Sequence, residues 1–203
     1  MNKETIALAA GASVFLYWAY RVMREDPSQN TGDGIPQNTQ STQDSMTAPT
    51  VVEDLMSKTT TFLGLWKPPA KYADTIAIAE QQNGIPPNLL ARLLYQESRY
   101  REDVITGKTR SPVGALGIAQ FMPATAREMG IDPLNPVQAI NGAARYLARQ
   151  YNMFGNWSEA LAAYNWGAGN VKRQGLANAP QETRNYFVQI LADVNNSNGS
   201  TYA

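Results

Sequence analysis

In the stretch LLYQESRYR, residues 93–101, one glutamate continues an apolar stripe. Leu89, Leu90, Leu93 and Leu94 fall at i, i+1, i+4 and i+5, and Glu97 follows four residues after Leu93 and three after Leu94. On a helix that is a single face. A carboxyl group against an apolar wall is penalised in its charged form, so its pKa is expected to rise. Part of it then stays protonated near neutral pH, as a general acid requires. The competing reading is an exposed Glu97 paired with Arg101 at i,i+4. Composition narrows the chemistry further. The chain has no cysteine and no histidine, which excludes disulfides, thiol nucleophiles, histidine bases, Ser-His-Asp triads and Cys/His zinc sites. Acid–base work falls to carboxylates, tyrosine or lysine, and neither metal nor cofactor is expected. Lys+Arg and Asp+Glu both count 17, so no global field favours nucleic acid.

Three further stretches hold groups that could meet such a carboxyl: GALGIAQFMPATA (114–126), AYNWGAGNV (163–171) and TRNYFVQI (183–190). Gly114 and Gly117 permit positive φ or a close backbone approach, and Gln120 carries both a donor and an acceptor. The alternative there is a plain turn leading into a helix at Pro123. Tyr164 and Asn165 close a helix just before Gly167 and Gly169 turn the chain, a place equally suited to core packing and a helix C-cap. Tyr186 reads as a core tyrosine or as a groove residue. Ordinary glycosidases use two carboxyl groups, about 5 Å apart when retaining and about 6.5–9.5 Å when inverting. After Glu97 the nearest acids are Glu102 and Asp103, and none lies within the glycine-rich or Ala-Tyr-Asn stretches.

In this order, Glu97-Ser98 and the three stretches resemble the catalytic domain of soluble-type lytic transglycosylases, over roughly residues 67–194. The family's motifs are Glu-Ser, a Gly-Leu-Met-Gln-like turn followed by Met-Pro-x-Thr-Ala, Ala-Tyr-Asn-Ala-Gly-x-Gly, and a terminal Tyr-Val. The resemblance implies an all-α, goose-lysozyme-like fold acting on peptidoglycan glycan strands. It implies Glu97 as the catalytic residue, with Ser98, Gly117, Gln120, Tyr164, Asn165 and Tyr186 binding substrate. Tyr164 is then expected to lie near Glu97 and orient it, Asn165 to hold the groove or the sugar, and the glycines to let a saccharide ring approach the main chain. By the same resemblance Glu97 protonates the oxygen of the β-1,4 MurNAc–GlcNAc bond, and the 2-acetamido group stabilises the developing cation. Glu97 then deprotonates the C6 hydroxyl, closing a 1,6-anhydro ring without water. The chain departs from the pattern at Ala119, where methionine is common, and at Trp166, where alanine is. The 101–112 loop looks longer than usual and, with Arg99 beside it, basic through Arg101, Lys108 and Arg110. It reads as solvated surface or as a contact for peptide-stem carboxylates.

Helical signals dominate the part of the chain that must position these groups. Helices are expected over 70–83, stopped by Gly84; from Pro86–Pro87 through Glu97; from Pro123 to Gly130; from Asn135–Pro136 to about Phe154; over 157–166, capped by Asn156 with Glu159; and over about 181–194. Residues 104–118 are expected to form an irregular loop or small hairpin. Together these make an all-α domain over 67–195, followed by a polar tail at 196–203.

Ahead of that domain, residues 5–20 carry no charge. They would span about 24 Å as a helix, short of the roughly 30 Å hydrocarbon core, but reach further if Arg21 snorkels and the span runs to residue 23. Tyr17, Trp18 and Tyr20 suit a membrane-interface belt rather than a small-x-small cleavage site. Residues 1–24 are thus expected to anchor the chain in a lipid membrane, with a cleaved signal as the alternative. Lys3 before the span and Arg21 and Arg24 after it weakly favour a cytoplasmic C-terminal part, against what a wall-directed enzyme needs. Residues 25–50, rich in Ser, Thr, Gln, Asn, Pro and Gly, form a disordered linker with a span of roughly 25–30 Å. Residues 51–66 form an amphipathic helix, with Thr50 and Glu53 as its capping box.

The leading expectation is a membrane-tethered lytic transglycosylase facing the cell wall in the bacterial periplasm. A goose-type muramidase or chitinase, with Asp103 activating water, is the alternative enzyme. A catalytically idle glycan-binding or structural module is the alternative from another class. A short chain, long tether and small domain also suit a phage virion component that opens the wall during genome entry, with virion or secretion-machine proteins as partners.

Overall fold

The computed structural model describes residues 67–198. The expected anchor over 1–24, linker over 25–50 and amphipathic helix over 51–66 lie outside the described residues, as does the end of the tail. Within 67–198 the fold is all-α: eight α-helices, one short 3-10 helix and no strand among the described residues. Helix α1 (Ala70–Gln82) buries Tyr72, Ile76, Ala79 and Glu80, the i, i+4, i+7, i+8 positions of one face. Helix α2 (Leu89–Ser98) buries nine of its ten residues and leaves only Tyr95 half-exposed. It is the central rod of the domain. The apolar stripe read from the sequence is real, and Glu97 lies on it, 7% exposed.

The two prolines do not open α2. Asn88 stands between them and the helix in the left-handed region, φ 69°, so the chain turns once more before the helix begins. The main-chain N–H groups of Asn88, Leu90 and Ala91 donate to the Glu80 carboxylate at 2.9–3.2 Å. A buried acid from α1 therefore satisfies the orphan donors of the helix that carries Glu97.

After α2 come α3 (Glu102–Ile105), α4 (Pro123–Met129) and α5 (Pro136–Phe154). The expected small hairpin shrinks to one bridge: Leu116 and Phe121 exchange both main-chain hydrogen bonds, at 3.0 and 3.1 Å. Helix α5 is capped by Asn135, whose side chain accepts from the Gln138 N–H, and ends at Gly155 with φ 81°. Its buried face is mostly small (Ala139, Gly142, Ala143, Ala144), which lets α6 (Trp157–Trp166) pack closely. The Asn156 cap accepts from the Glu159 N–H at 2.8 Å while its amide donates to the Glu159 carboxylate at 2.6 Å.

Gly167 turns the chain at φ 95°, but Gly169 does not. It lies inside α7 (Ala168–Gln174), a helix absent from the sequence expectation, followed by a 3-10 turn at Leu176–Asn178. Such short segments lack the periodicity that reveals a helix in sequence, and α7 forms by packing back on α6. The last helix, α8 (Gln181–Asn198), continues past the expected end near 194. Asn198 holds it there by donating to the Pro87 carbonyl and accepting from the Asn88 amide. Helix α8 packs on both α6 and α2.

Candidate active site

Helices α2 and α8 meet at Glu97. Helix α2 presents it in its last turn, one residue before the helix ends at Ser98, and α8 crosses antiparallel to α2 with a polar stripe facing it. Tyr186 of that stripe, 4% exposed, donates its hydroxyl to Glu97 Oε1 at 2.6 Å. One turn further along, the Gln96 amide donates to Gln189 Oε1 at 2.8 Å, and beyond it the buried Arg92 guanidinium pairs with Asp193. The sequence reading left Tyr186 between core and groove. It is a buried residue whose hydroxyl holds the candidate acid.

The end of α6 and the Leu116–Phe121 turn build a small cleft, lined by Gln120, Phe121, Met122, Tyr146, Tyr164 and Asn165 among others. Its aromatic wall is Tyr146, edge-on to both Tyr164 (centroids 5.4 Å apart) and Phe121 (6.2 Å), a geometry that favours the ring quadrupoles. The Tyr164 hydroxyl donates to the Ala119 carbonyl at 3.1 Å. Burial pushes its pKa well above the usual tyrosine range, and the nearby Glu97 charge adds to the shift. Tyr164 therefore shares an electrostatic neighbourhood with Glu97 but hydrogen-bonds elsewhere; it is Tyr186 that donates to the carboxylate. Glu97 itself is not among the residues lining the cleft.

Asn165, 7% exposed, lines the same cleft and accepts a 2.8 Å hydrogen bond from the Thr183 hydroxyl. Gln120 sits in the left-handed region at φ 47° and donates to the Gly117 carbonyl at 2.7 Å. Its buried Oε1 has no hydrogen-bond partner among the described residues. Gly117 has φ 73°, and a Cβ there would lie 1.7 Å from the Pro133 carbonyl oxygen. The close approach that demands this glycine is to the protein's own backbone. Ser98 turns away from the cleft: its hydroxyl donates to the Leu94 carbonyl and accepts from the Tyr100 N–H. There it ties off the α2 terminus, where Arg99 and Tyr100 both adopt φ 53°, a strained pair for non-glycine residues.

The two acids that follow Glu97 in the chain are engaged elsewhere. Asp103, partly exposed, is held by Arg101 at 2.6 Å and accepts from the Thr109 hydroxyl at 2.6 Å. The Arg101 guanidinium, with Thr109, lowers its pKa to about 2. Glu102 pairs with Lys71 on the surface. Among the described residues no carboxylate lines the cleft, and none form a cluster of acids able to hold a metal. Sequence reasoning missed Tyr146 and Thr183, which carry no motif of their own. A signal for Thr183 existed, since it lies three residues before Tyr186 on one face of α8.

The family model for the transglycosylase SLT domain matches residues 74–187, more than half of the 203 residues. This chain belongs to that family. Among related proteins, it is 32% identical over 123 residues to the transglycosylase of Enterobacteria phage PRD1, covering 60% of this chain and 42% of that one. It is 34% identical over 140 residues to the peptidoglycan transglycosylase gp16 of Escherichia phage T7, covering 61% of this chain and 10% of the relative. The 70-kDa soluble lytic transglycosylase, solved with bulgecin A, superposes with a TM-score of 0.56 at 28% identity, covering 72% of this chain and 26% of that one. The lytic transglycosylase Slt of Pseudomonas aeruginosa, solved as an inactive Glu-to-Gln mutant, gives a TM-score of 0.52 at 29% identity over 62% of this chain and 24% of that one. The chain thus spans less than half the length of these SLT-domain relatives.

Proposed function

We propose that the chain is a peptidoglycan lytic transglycosylase that cleaves the β-1,4 bond between MurNAc and GlcNAc and leaves 1,6-anhydro-MurNAc ends. The observation that carries this reading is a buried carboxyl, Glu97, held by Tyr186 beside a cleft with no acid among its described lining residues. The Tyr186 hydroxyl holds its carboxyl in place, and Glu97 is assigned both proton transfers. Glu97 first donates its proton to the glycosidic oxygen as the C1–O bond breaks, with the electron pair leaving on that oxygen. The substrate's acetamido oxygen shields the cation at C1. The Glu97 carboxylate then takes the C6 hydroxyl proton as that oxygen bonds to C1, which regenerates the acid.

Mass spectrometry of digested sacculi tests this. Wild type is expected to yield 1,6-anhydro ends and Glu97→Gln none; reducing ends throughout would overturn it. The hydrolytic alternative needs a base for water. Asp103 is a poor one, because Arg101 and Thr109 hold it as a weakly basic anion at the surface. An idle module would keep its biological role in Glu97→Gln.

The phage relatives, together with the membrane-bound lytic murein transglycosylase F 2 of Alkalilimnicola ehrlichii, 37% identical over 101 residues, support a phage or membrane-associated setting. We place the anchor in residues 5–23, with the domain reaching the wall across the 25–50 linker. No described helix is long and apolar enough to cross a membrane. Co-sedimentation with membranes or with purified particles, lost on deleting residues 1–24, is the expected result.

A further inference from the structure

The cleft has a polarity that the Ala-Tyr-Asn stretch alone does not specify, because an asparagine amide can present either its oxygen or its nitrogen. Thr183 is 1% exposed and donates to Asn165 Oδ1 at 2.8 Å. The amide oxygen is thereby turned toward α8. Asn165 Nδ2 has no hydrogen-bond acceptor among the described residues, yet it is not among the sealed, partnerless buried atoms, which are Gln120 Oε1 and Gln150 Oε1. Asn165 lines the cleft, so the nitrogen is the part of the amide that remains open there.

We propose that Thr183 is a positioning residue that locks Asn165 as a hydrogen-bond donor to a neutral acceptor oxygen of the bound glycan. A hydroxyl can donate or accept, and that of Thr183 donates to Oδ1. Buried in the first turns of α8 and three residues from Tyr186, it is carried by the same helix face that holds Glu97. One helix thus sets both the acid and the orientation of the sugar-facing amide. Two glycan groups offer such an oxygen, an acetamido carbonyl and a ring hydroxyl. A group with only donors would meet the N–H groups head-on and be rejected. The inference rests on the lytic transglycosylase reading only for the glycan nature of the ligand.

The test is calorimetric binding of a GlcNAc tetramer to the Glu97→Gln protein, so turnover plays no part. Thr183→Val is expected to weaken binding about tenfold, the loss of one orienting hydrogen bond, and Thr183→Ser to restore it. In an Asn165→Ala background Thr183→Val should have no further effect, since it acts through the amide. Asn165→Asp, which offers only acceptors to the cleft, should bind at least tenfold more weakly while melting near the parent temperature. Repeating the series with de-N-acetylated tetramer separates the two sources: a Thr183→Val effect that disappears assigns the acetamido carbonyl, and one that persists assigns a hydroxyl; both support the lock. Unchanged binding by Thr183→Val or Asn165→Asp, or an equal loss from Thr183→Val with Asn165 already removed, would overturn it. A parent that binds neither tetramer would overturn it together with the glycan assignment. Normal binding alongside purely hydrolytic products would overturn only the lytic reading.

Discussion

Glu80 and Glu97 are almost equally hidden, 6% and 7% exposed, and they serve the two ends of the same helix. Glu80 reaches from α1 to the start of α2, where three main-chain N–H groups fix it. Glu97 sits near the other end, where the Tyr186 hydroxyl meets it beside an open cleft. Burial alone therefore does not single out a catalytic carboxylate. What separates them is the kind of donor and the access. Main-chain donors make Glu80 a helix cap, while Glu97 meets a side-chain donor, the Tyr186 hydroxyl.

The comparison can be broken by substitution. Glu97→Gln should lower lytic activity by about 10³-fold or more while leaving the melting temperature near wild type, because it removes the only acid assigned to the reaction; assays on sacculi with a parallel melt decide this. Glu80→Ala should do the reverse. It leaves the Asn88, Leu90 and Ala91 donors buried without partners and should cost about 3 kcal/mol or more in denaturant unfolding, with any activity loss tracking the unfolded fraction. Equal activity losses in the two folded proteins would erase the distinction.

Glu80 also sets a pH signature. Burial raises its pKa from 4.5 to about 7, against the three main-chain donors that favour the anion. The folded state then binds more protons than the unfolded one between those values, so its contribution is full below about pH 4.5 and is lost as pH rises through 7. Up to about 3 kcal/mol of stability should decline across that window, and Glu80→Gln should flatten the slope measured by urea unfolding at several pH values. Tyr186→Phe should reduce activity by about tenfold with a stability loss of about 1 kcal/mol, seen in kcat rather than KM. Smallest of all, Asp103→Asn should leave activity within about twofold, since its partners Arg101 and Thr109 are surface groups; a large loss would revive the hydrolytic reading.

Where the chain states its structure locally, it was legible. Asn135 before Pro136, Asn156 with Glu159, and the glycines at 130 and 155 mark helix ends through bonds made within a turn or so of the chain. The apolar spacing of Leu89 to Leu94 likewise placed Glu97 on a buried face, and the order of the Gln120, Tyr164–Asn165 and Tyr186 stretches pointed to the family. Misreadings arose where local signals competed. The Pro86–Pro87 pair resembled a helix start until left-handed Asn88 intervened, and α7 was too short to show a period.

Residue types and short-range spacing thus sufficed to decide the helical class, most helix ends and the burial of Glu97, because helices are written in contacts three and four residues apart. Which groups meet around Glu97 and the cleft was decided only in three dimensions. Tyr186 meets Glu97 across 89 positions, Tyr164 meets Ala119 across 45, and Thr183 meets Asn165 across 18. No periodicity encodes such pairings. They exist because α8 packs into the angle between α2 and α6, and that packing, driven by apolar surface with no directional preference of its own, brings the polar stripe of α8 against the site.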